Sequence, residues 1–415
     1  MIPVKEALEI ILGEIKTLGV ETVDILDSPG RVLAEDISAG RPNPPWDNSA
    51  MDGFALMAGD TKGASRENPV KLRVIYDIPA GQVPKGPVKK GEAVRIMTGA
   101  PVPDGADSVV MVERTRAGAA GVGEVFVLEE SRIGDNIRKS GEDFRSGTVV
   151  IKKGSLIRPA EVLMLATVGK ARARVFKKPT VSVLSTGDEL VDIGTAPAPG
   201  KITNSNGYAL CALVGEAGAK AVQLGIARDT LEGLTEKLRE AVKADCIITS
   251  GGVSVGDYDL VKDVLRDMGS EMRFWKVAMK PGKPLAFGVI GGKPAFGLPG
   301  NPISSMVAFT EFVRPALLKM AGRKEIFIRA FPAKLTGDVL KKPGRMNFLR
   351  GELSIKDGDF TVTPLEGQGS GVVSTMVKAN CFIIVPEETS VIKAGETVKI
   401  QPFDPTVLDA GKPGY

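Results

Sequence analysis

Apolar residues at Val4, Ala7, Leu8, Ile11, Leu12, Ile15 and Leu18 recur at helical spacing, which predicts an amphipathic helix at the start of the chain. From about Ile37 the pattern changes. The stretch RPNPPWDNSAMDGFA is dense in turn formers, and as far as about Glu130 short β-like runs (KLRVIYDI, EAVRIM, DSVVMVE) alternate with glycine and proline. These features predict a β-rich inserted domain. From Arg158 to Gly169, RPAEVLMLATVG joins a proline suited to a first helical turn with an apolar stripe, so a helix is expected before the strand-like KARARVFKK.

Between Pro179 and Gly322 the rhythm is regular. Strand PTVSVLS, a helix from Asn204 to Ala217, strand AVQLGIA, helix TLEGLTEKLREAVKA, strand DCIITS and helix DLVKDVLRDMG are followed by strand PAFGLP and helix PISSMVAFTEFVRPALLKMAG. Such alternation predicts a parallel α/β sheet covered on both faces. After Arg323 the runs AFPAKL, MNFLRGEL, DFTVTPL and CFIIVP predict a small β-barrel or sandwich, and the segment beyond Phe403 reads as a loose tail. The fold class is α/β plus β, multidomain. Its expected divisions are 1–40 with 131–178 as a discontinuous N-terminal linking domain, 41–130, 179–322, 323–403 and the tail 404–415.

Composition narrows the chemistry. A chain of 415 residues exceeds one ordinary core, and its 43% hydrophobic and 25% charged residues are those of a globular protein. The net charge of +4 excludes a general field for nucleic acid. No run approaches the roughly 18 apolar residues that span a bilayer, and the start MIPVKEALEI lacks a basic leader, so a cytoplasmic protein without membrane contact is expected. Cys211, Cys246 and Cys381 match neither a disulfide framework nor zinc spacing. Histidine is absent altogether, which removes imidazole bases and imidazole metal sites. Carboxylates, lysines, hydroxyls and backbone amides must carry the chemistry.

Loops leaving the carboxyl ends of a parallel sheet share one edge, where ligands bind. Three are chemically rich: STGDEL (Ser185 to Leu190), TSGGVSVGDYD (Thr249 to Asp259) and LPGNP (Leu298 to Pro302). In the second, Gly251 and Gly252 permit close backbone approach, Ser250 and Ser254 supply hydroxyls, and a helix N-terminus follows, which suits a phosphate. A capped strand-to-helix turn is the plainer alternative for that loop and for Gly300, Asn301 and Pro302. Asp188, Glu189, Asp257 and Asp259 would repel a phosphate unless a cation intervened, and oxygen-only donors point to a hard ion such as Mg²⁺. In FWKVAMKPGKPLAFG, Lys276, Lys280 and Lys283 fall within eight positions, with Pro281, Gly282 and Pro284 fixing the backbone around them. Anion binding by Lys280 and Lys283 is the favoured reading.

DNSAMDGFA, IMTGAPVPDGAD, GDNIRKSGEDF, STGDEL, TNSNGY, SGGVSVGDYD, KPGKP and LPGNP, in this order, closely resemble the molybdopterin molybdenumtransferases, the MoeA-type enzymes to which the gephyrin E-domain is related. The resemblance covers nearly the whole chain. It implies an elongated homodimer of four-domain subunits that inserts molybdate into adenylylated molybdopterin with Mg²⁺ present, releasing AMP. It also implies catalytic roles for Asp52, Thr98, Glu189, Asp229, Asp259, Lys276 and Lys280, with Asp52 and Thr98 serving the other subunit's site. Substrate would be held by Ser250, Gly251, Gly252, Ser254, Gly256, Lys283, Pro299, Gly300 and Asn301. The cation would be held by Glu189 together with Asp257 or Asp259, because Asp257, Tyr258 and Asp259 stand where some relatives carry Glu-Ala-Asp. The molybdopterin adenylyltransferase is a candidate partner, and the sequence leaves open which protein delivers the adenylylated substrate. Two competing readings are that adenylyltransferase activity itself and a gephyrin-like peptide-binding scaffold; the other three domains argue against the first, and the intact acidic and lysine motifs against the second.

Overall fold

The computed structural model describes residues 1–117, 123–252, 264, 266–356 and 358–409. The chain forms two compact units. One comprises Met1–Ala34, Gly154–Arg158 and Arg172–Tyr415, the other Glu35–Lys153 and Pro159–Ala171.

Helix α1 (Val4–Glu14) opens the first unit and buries Val4, Ala7 and Ile11, three of the positions on the apolar stripe. In the second unit β1 (Gly53–Leu56), β2 (Val70–Ile78), β3 (Glu92–Ile96), β4 (Ser108–Met111), β5 (Thr115–Ala117) and β6 (Glu124–Val127) form one sheet in the order β4-β1-β3-β2-β6-β5. Period-two alternation sends neighbouring residues to opposite faces. Ala55, Val94 and Val109 join one core cluster, whereas Leu56, Ala93 and Val110 join another. Helix α2 (Pro159–Thr167) belongs to the same unit.

The α/β part of the first unit contains β7 (Thr180–Thr186), α3 (Ser205–Glu216), β8 (Lys220–Ala227), α4 (Leu231–Ala241), β9 (Cys246–Ser250), β10 (Glu271–Lys276), β11 (Pro284–Ile290), β12 (Lys293–Leu298), α5 (Pro302–Ala308) and α6 (Arg314–Met320). Strand order is β8-β7-β9-β12-β11-β10. The first four strands are parallel, as the alternation predicts, but β11 runs antiparallel to β12 and β10 antiparallel to β11. The sheet is therefore mixed, extended by a hairpin within the lysine-rich segment. One face packs Val181, Val183 and Ile248 with α1, α3, α5 and α6; the other packs Leu184 and Ile247 with Leu234 and Leu238 of α4. Of the helix expected from DLVKDVLRDMG, most lies outside the described residues.

Between α5 and α6 lies a π-turn, Phe309–Val313. Pro315 lacks the N–H that would bond the carbonyl four residues back, and a wide turn absorbs the mismatch. The turn places Glu311 against the strand Thr397–Pro402 of the next domain, where Gln401 Nε2 donates to Glu311 Oε1 at 2.9 Å. Burial pushes the Glu311 carboxyl up to about 7, with the Gln401 hydrogen bond and the nearby Arg314 charge opposing. A carboxyl that holds its proton longer when folded makes stability fall as pH rises from its unfolded value toward 7. Glu311→Gln is expected to match the parent near pH 4.5 and to exceed its stability at pH 8 by roughly 3 kcal/mol. Denaturation midpoints at the two pH values check this, and equal midpoints at pH 8 would refute it.

The C-terminal part is a closed barrel rather than a sandwich. Strands β13 (Phe331–Leu335), β14 (Met346–Lys356), β15 (Asp359–Pro364), β16 (Cys381–Val385) and β17 (Thr397–Pro402) pair in the ring β14-β15-β13-β17-β16, and β16 returns to β14. Among the described residues each of these five strands pairs with two others of the ring, and the two-residue strand Met279–Lys280 adds in parallel to β14. Beyond Phe403 the chain is not wholly loose: Asp404 caps a short 3₁₀ helix, Pro405–Leu408.

Candidate functional site

The register of the parallel strands places the carboxyl ends of β8, β7, β9 and β12 side by side: Ala227 opposite Thr186, Ser185 opposite Ser250, Ser250 opposite Leu298. The loops that follow share one edge. At the β8 and β7 end the backbone N–H of Asp188 donates to Asp229 Oδ2 at 3.3 Å, and that of Asp229 donates to Asp188 Oδ1 at 3.2 Å. Glu189 folds back over Gly187, where a Cβ would stand 2.5 Å from Glu189 Oε2. Burial raises the Asp229 carboxyl, and the charges of Asp188 and Glu189 add to the shift against a backbone hydrogen bond that lowers it. Lys201 Nζ donates to the Asp188 carbonyl. This end of the edge is strongly negative.

Over β9 the chain turns through Gly251 (φ 92°) and Gly252 (φ 65°). A Cβ on Gly251 would meet the Thr186 carbonyl at 2.5 Å, so only glycine fits between the two loops. Asn206, at the start of α3, donates from one Nδ2 to Ser250 Oγ and to the Gly300 carbonyl, both at 2.9 Å. It ties the β9 loop to the β12 loop. Asn204 caps α3 by accepting from the Gly207 N–H at 3.1 Å. Pro299 is held through its carbonyl by Ser305 Oγ.

At the β12 and β11 end a cleft of about 610 Å³ is lined by Lys280, Lys283, Asn301, Ser304, Arg345 and Ser370, among others. KPGKP and LPGNP meet here, as do two parts of the chain about 45 and 70 residues farther on. The N-terminal residues brace this wall: Ile2 N–H donates to the Lys276 carbonyl at 3.1 Å and Ala278 N–H donates to the Ile2 carbonyl at 2.8 Å. Lys276 sits half-buried at the end of β10, opposite Pro284, and does not line the cleft.

In the second unit Asp52 and Thr98 form a pair. Asp52 Oδ1 accepts from both the backbone N–H and the hydroxyl of Thr98, each at 2.7 Å. These two bonds, the backbone one first, hold the Asp52 carboxyl below the usual carboxylate range although it is fully exposed. Ser254, Gly256, Asp257 and Asp259 lie outside the described residues. Among the described residues no three carboxylate or thiol groups converge as a ready metal cage.

Sequence reasoning left out Arg345, Ser304, Ser370 and Asn206. Asn206 lies inside the motif TNSNGY, where its place at a helix start next to two glycine loops is a usable signal. Arg345 and Ser370 carry none, because they belong to barrel segments that only tertiary packing brings to the lysines.

The MoeA N-terminal region (domain I and II) matches residues 2–169, a probable molybdopterin binding domain matches 182–319, and the MoeA C-terminal region (domain IV) matches 332–403. A Staphylococcus aureus protein named molybdopterin molybdenumtransferase is 38% identical over 96% of this chain and 95% of its own length. One of the same name from Bacillus subtilis is 39% identical over 96% of this chain and 93% of its own. Two structures of molybdopterin biosynthesis MoeA proteins from Pyrococcus horikoshii align at TM-scores of 0.83 and 0.82, with 36% and 31% identity. They cover 97% of this chain and 99% and 100% of their own. No helix among the described residues is long and apolar enough to cross a membrane. With all three regions in order and the full length matched, the chain belongs to the MoeA family, that of the molybdopterin molybdenumtransferases.

Proposed function

We propose that the protein inserts molybdate into adenylylated molybdopterin, yielding molybdenum cofactor and AMP. The observation that carries this reading is the sorting of charge along one sheet edge: carboxylates over β8 and β7, glycines over β9, cations over β12 and β11. An extended substrate with a phosphate chain at one end and an oxyanion-accepting dithiolene at the other fits that polarity.

Ser250, Gly251, Gly252, Gly300 and Asn301 bring backbone and hydroxyl groups close to a phosphate without side-chain obstruction. Lys280, Lys283 and Arg345 offset the charge of the molybdate dianion, and Ser304 and Ser370 line the same cleft. Concentrating the oxyanion beside the dithiolene is mainly positioning and electrostatics, so no protein nucleophile is invoked.

The donor set at the acidic end fits a hard cation, since it offers oxygen ligands only, and burial, with the neighbouring charges of Asp188 and Glu189 adding to it, raises Asp229. Glu189, with Asp257 or Asp259, would hold Mg²⁺, which offsets phosphate charge and eases departure of the adenylate. Asp188 and Asp229 fix the loops on which that group is built. Asp52 and Thr98 are proposed to act across a homodimer, their paired geometry presenting a fixed carboxylate and hydroxyl. The adenylated substrate would come from a molybdopterin adenylyltransferase, and the protein would work in the cytoplasm.

The test is direct. Purified protein given adenylylated molybdopterin, Mg²⁺ and molybdate is expected to release AMP only when molybdate is present. Consumption of ATP with free molybdopterin would identify an adenylyltransferase instead, and neither reaction would leave a scaffold.

A further inference from the structure

Behind the cationic cleft lies an arginine in an unusual setting. Arg350, in the middle of β14, is 0% exposed. Its Nη2 donates to the carbonyls of Gly367 and Gly369, at 2.9 and 3.1 Å, while Nε and Nη1 are buried without a hydrogen-bond partner. Burial lowers its basicity, and among the described residues no carboxylate opposes that shift. Buried guanidinium groups ordinarily have a carboxylate beside them, because an unpaired interior charge is costly.

The carbonyls it holds belong to the loop that forms the barrel wall of the cleft. Gln368 clasps Arg350 from the other side, accepting from its backbone N–H at 3.0 Å and donating to its carbonyl at 2.9 Å. Gln368, Gly369 and Ser370 all line the cleft, and the Ser370 carbonyl accepts from Ile303 N–H of α5 at 3.2 Å. One guanidinium thus fixes the turn that places Ser370 between barrel and α/β domain. The same group adds a fourth positive charge to those of Lys280, Lys283 and Arg345, and this one has no solvent-exposed surface of its own.

We infer that Arg350 is a positioning residue for oxyanion binding. It shapes the Gly367–Ser370 wall and supplies a buried positive potential that a bound dianion neutralises. The inference rests on the reading of the cleft as the molybdate site.

Equilibrium dialysis of the full-length protein against molybdate, with retained molybdenum measured by mass spectrometry, tests both and separates them. Arg350→Met is expected to weaken molybdate binding and to raise its KM by about tenfold, with kcat at saturating molybdate within about twofold of the parent. Arg350→Lys keeps the charge but loses the two-carbonyl clamp, and an intermediate loss of about threefold is expected. A simple brace would lower the melting temperature and kcat together and leave the affinity of the folded fraction unchanged. Parental affinity in folded Arg350→Met, while Arg345→Met binds weakly, would overturn the inference. Should Arg350→Met not fold, unchanged affinity in Arg350→Lys would do so. If Arg345→Met and Lys280→Met both bind as the parent does, the cleft is not the molybdate site and the inference falls with it.

Discussion

Glu189→Gln is expected to abolish molybdate-dependent AMP release, with a fall of about a thousandfold or more, while melting temperature and oligomeric state stay unchanged. The substitution is nearly isosteric and removes only the negative charge. The Glu189 carbonyl accepts from the Ile202 N–H at 2.8 Å, a backbone bond the substitution keeps, and its carboxylate folds over Gly187, beside the Asp188 and Asp229 pair. Burial raises the Asp229 carboxyl, and the Glu189 charge adds to that shift, a charge that a bound cation would offset. The loss should appear in kcat at saturating substrate rather than in molybdate affinity, because the cationic cleft lies over β12 and β11 while Glu189 follows β7. Full turnover by this variant, measured as AMP by liquid chromatography, would remove Glu189 from the proposed mechanism.

The opposite pattern is expected at the other end of the edge. Lys280→Met or Arg345→Met should raise the KM for molybdate by about tenfold to a hundredfold, and AMP release should recover at high molybdate. Lys280 is held by the parallel ladder with Asn347, and the Arg345 carbonyl accepts from Lys341 Nζ at 2.9 Å, so both backbones stay in place when the charge is removed. Steady-state rates across a molybdate series give the split between kcat and KM. An unchanged KM in both variants would show that the oxyanion binds elsewhere.

The alternation of β7, α3, β8, α4 and β9 was legible because each strand is a buried apolar run and each helix has a stripe at its own period. Strand direction was less so. The β10 and β11 hairpin carries the lysines and prolines that dominate FWKVAMKPGKP, and nothing in a strand's side-chain pattern states whether its neighbour runs with or against it. Strand β17 was missed although TVKIQ alternates, and it closes the barrel between β13 and β16. The same limit governs the site. Asp188, Glu189, Gly251 and Gly300 were readable as loops following strands, whereas Arg345 and Ser370 become neighbours of Lys280 only when the barrel docks on the α/β domain. In the sequence Arg350 is one charge within the strand-like run MNFLRGEL, and only its complete burial marks it out.

The ladder that joins Met279–Lys280 to β14 has a thermodynamic consequence. Both walls of the cationic cleft belong to one hydrogen-bonded framework, one wall further pinned by Ile2 and the other by Arg350. The conformational entropy of ordering this wall is therefore lost during folding, before any ligand arrives. A compact, symmetric dianion has little internal freedom of its own to lose. For the proposed molybdate ligand, encounter with the cleft would exchange hydration water for fixed positive charge and be steered by the field.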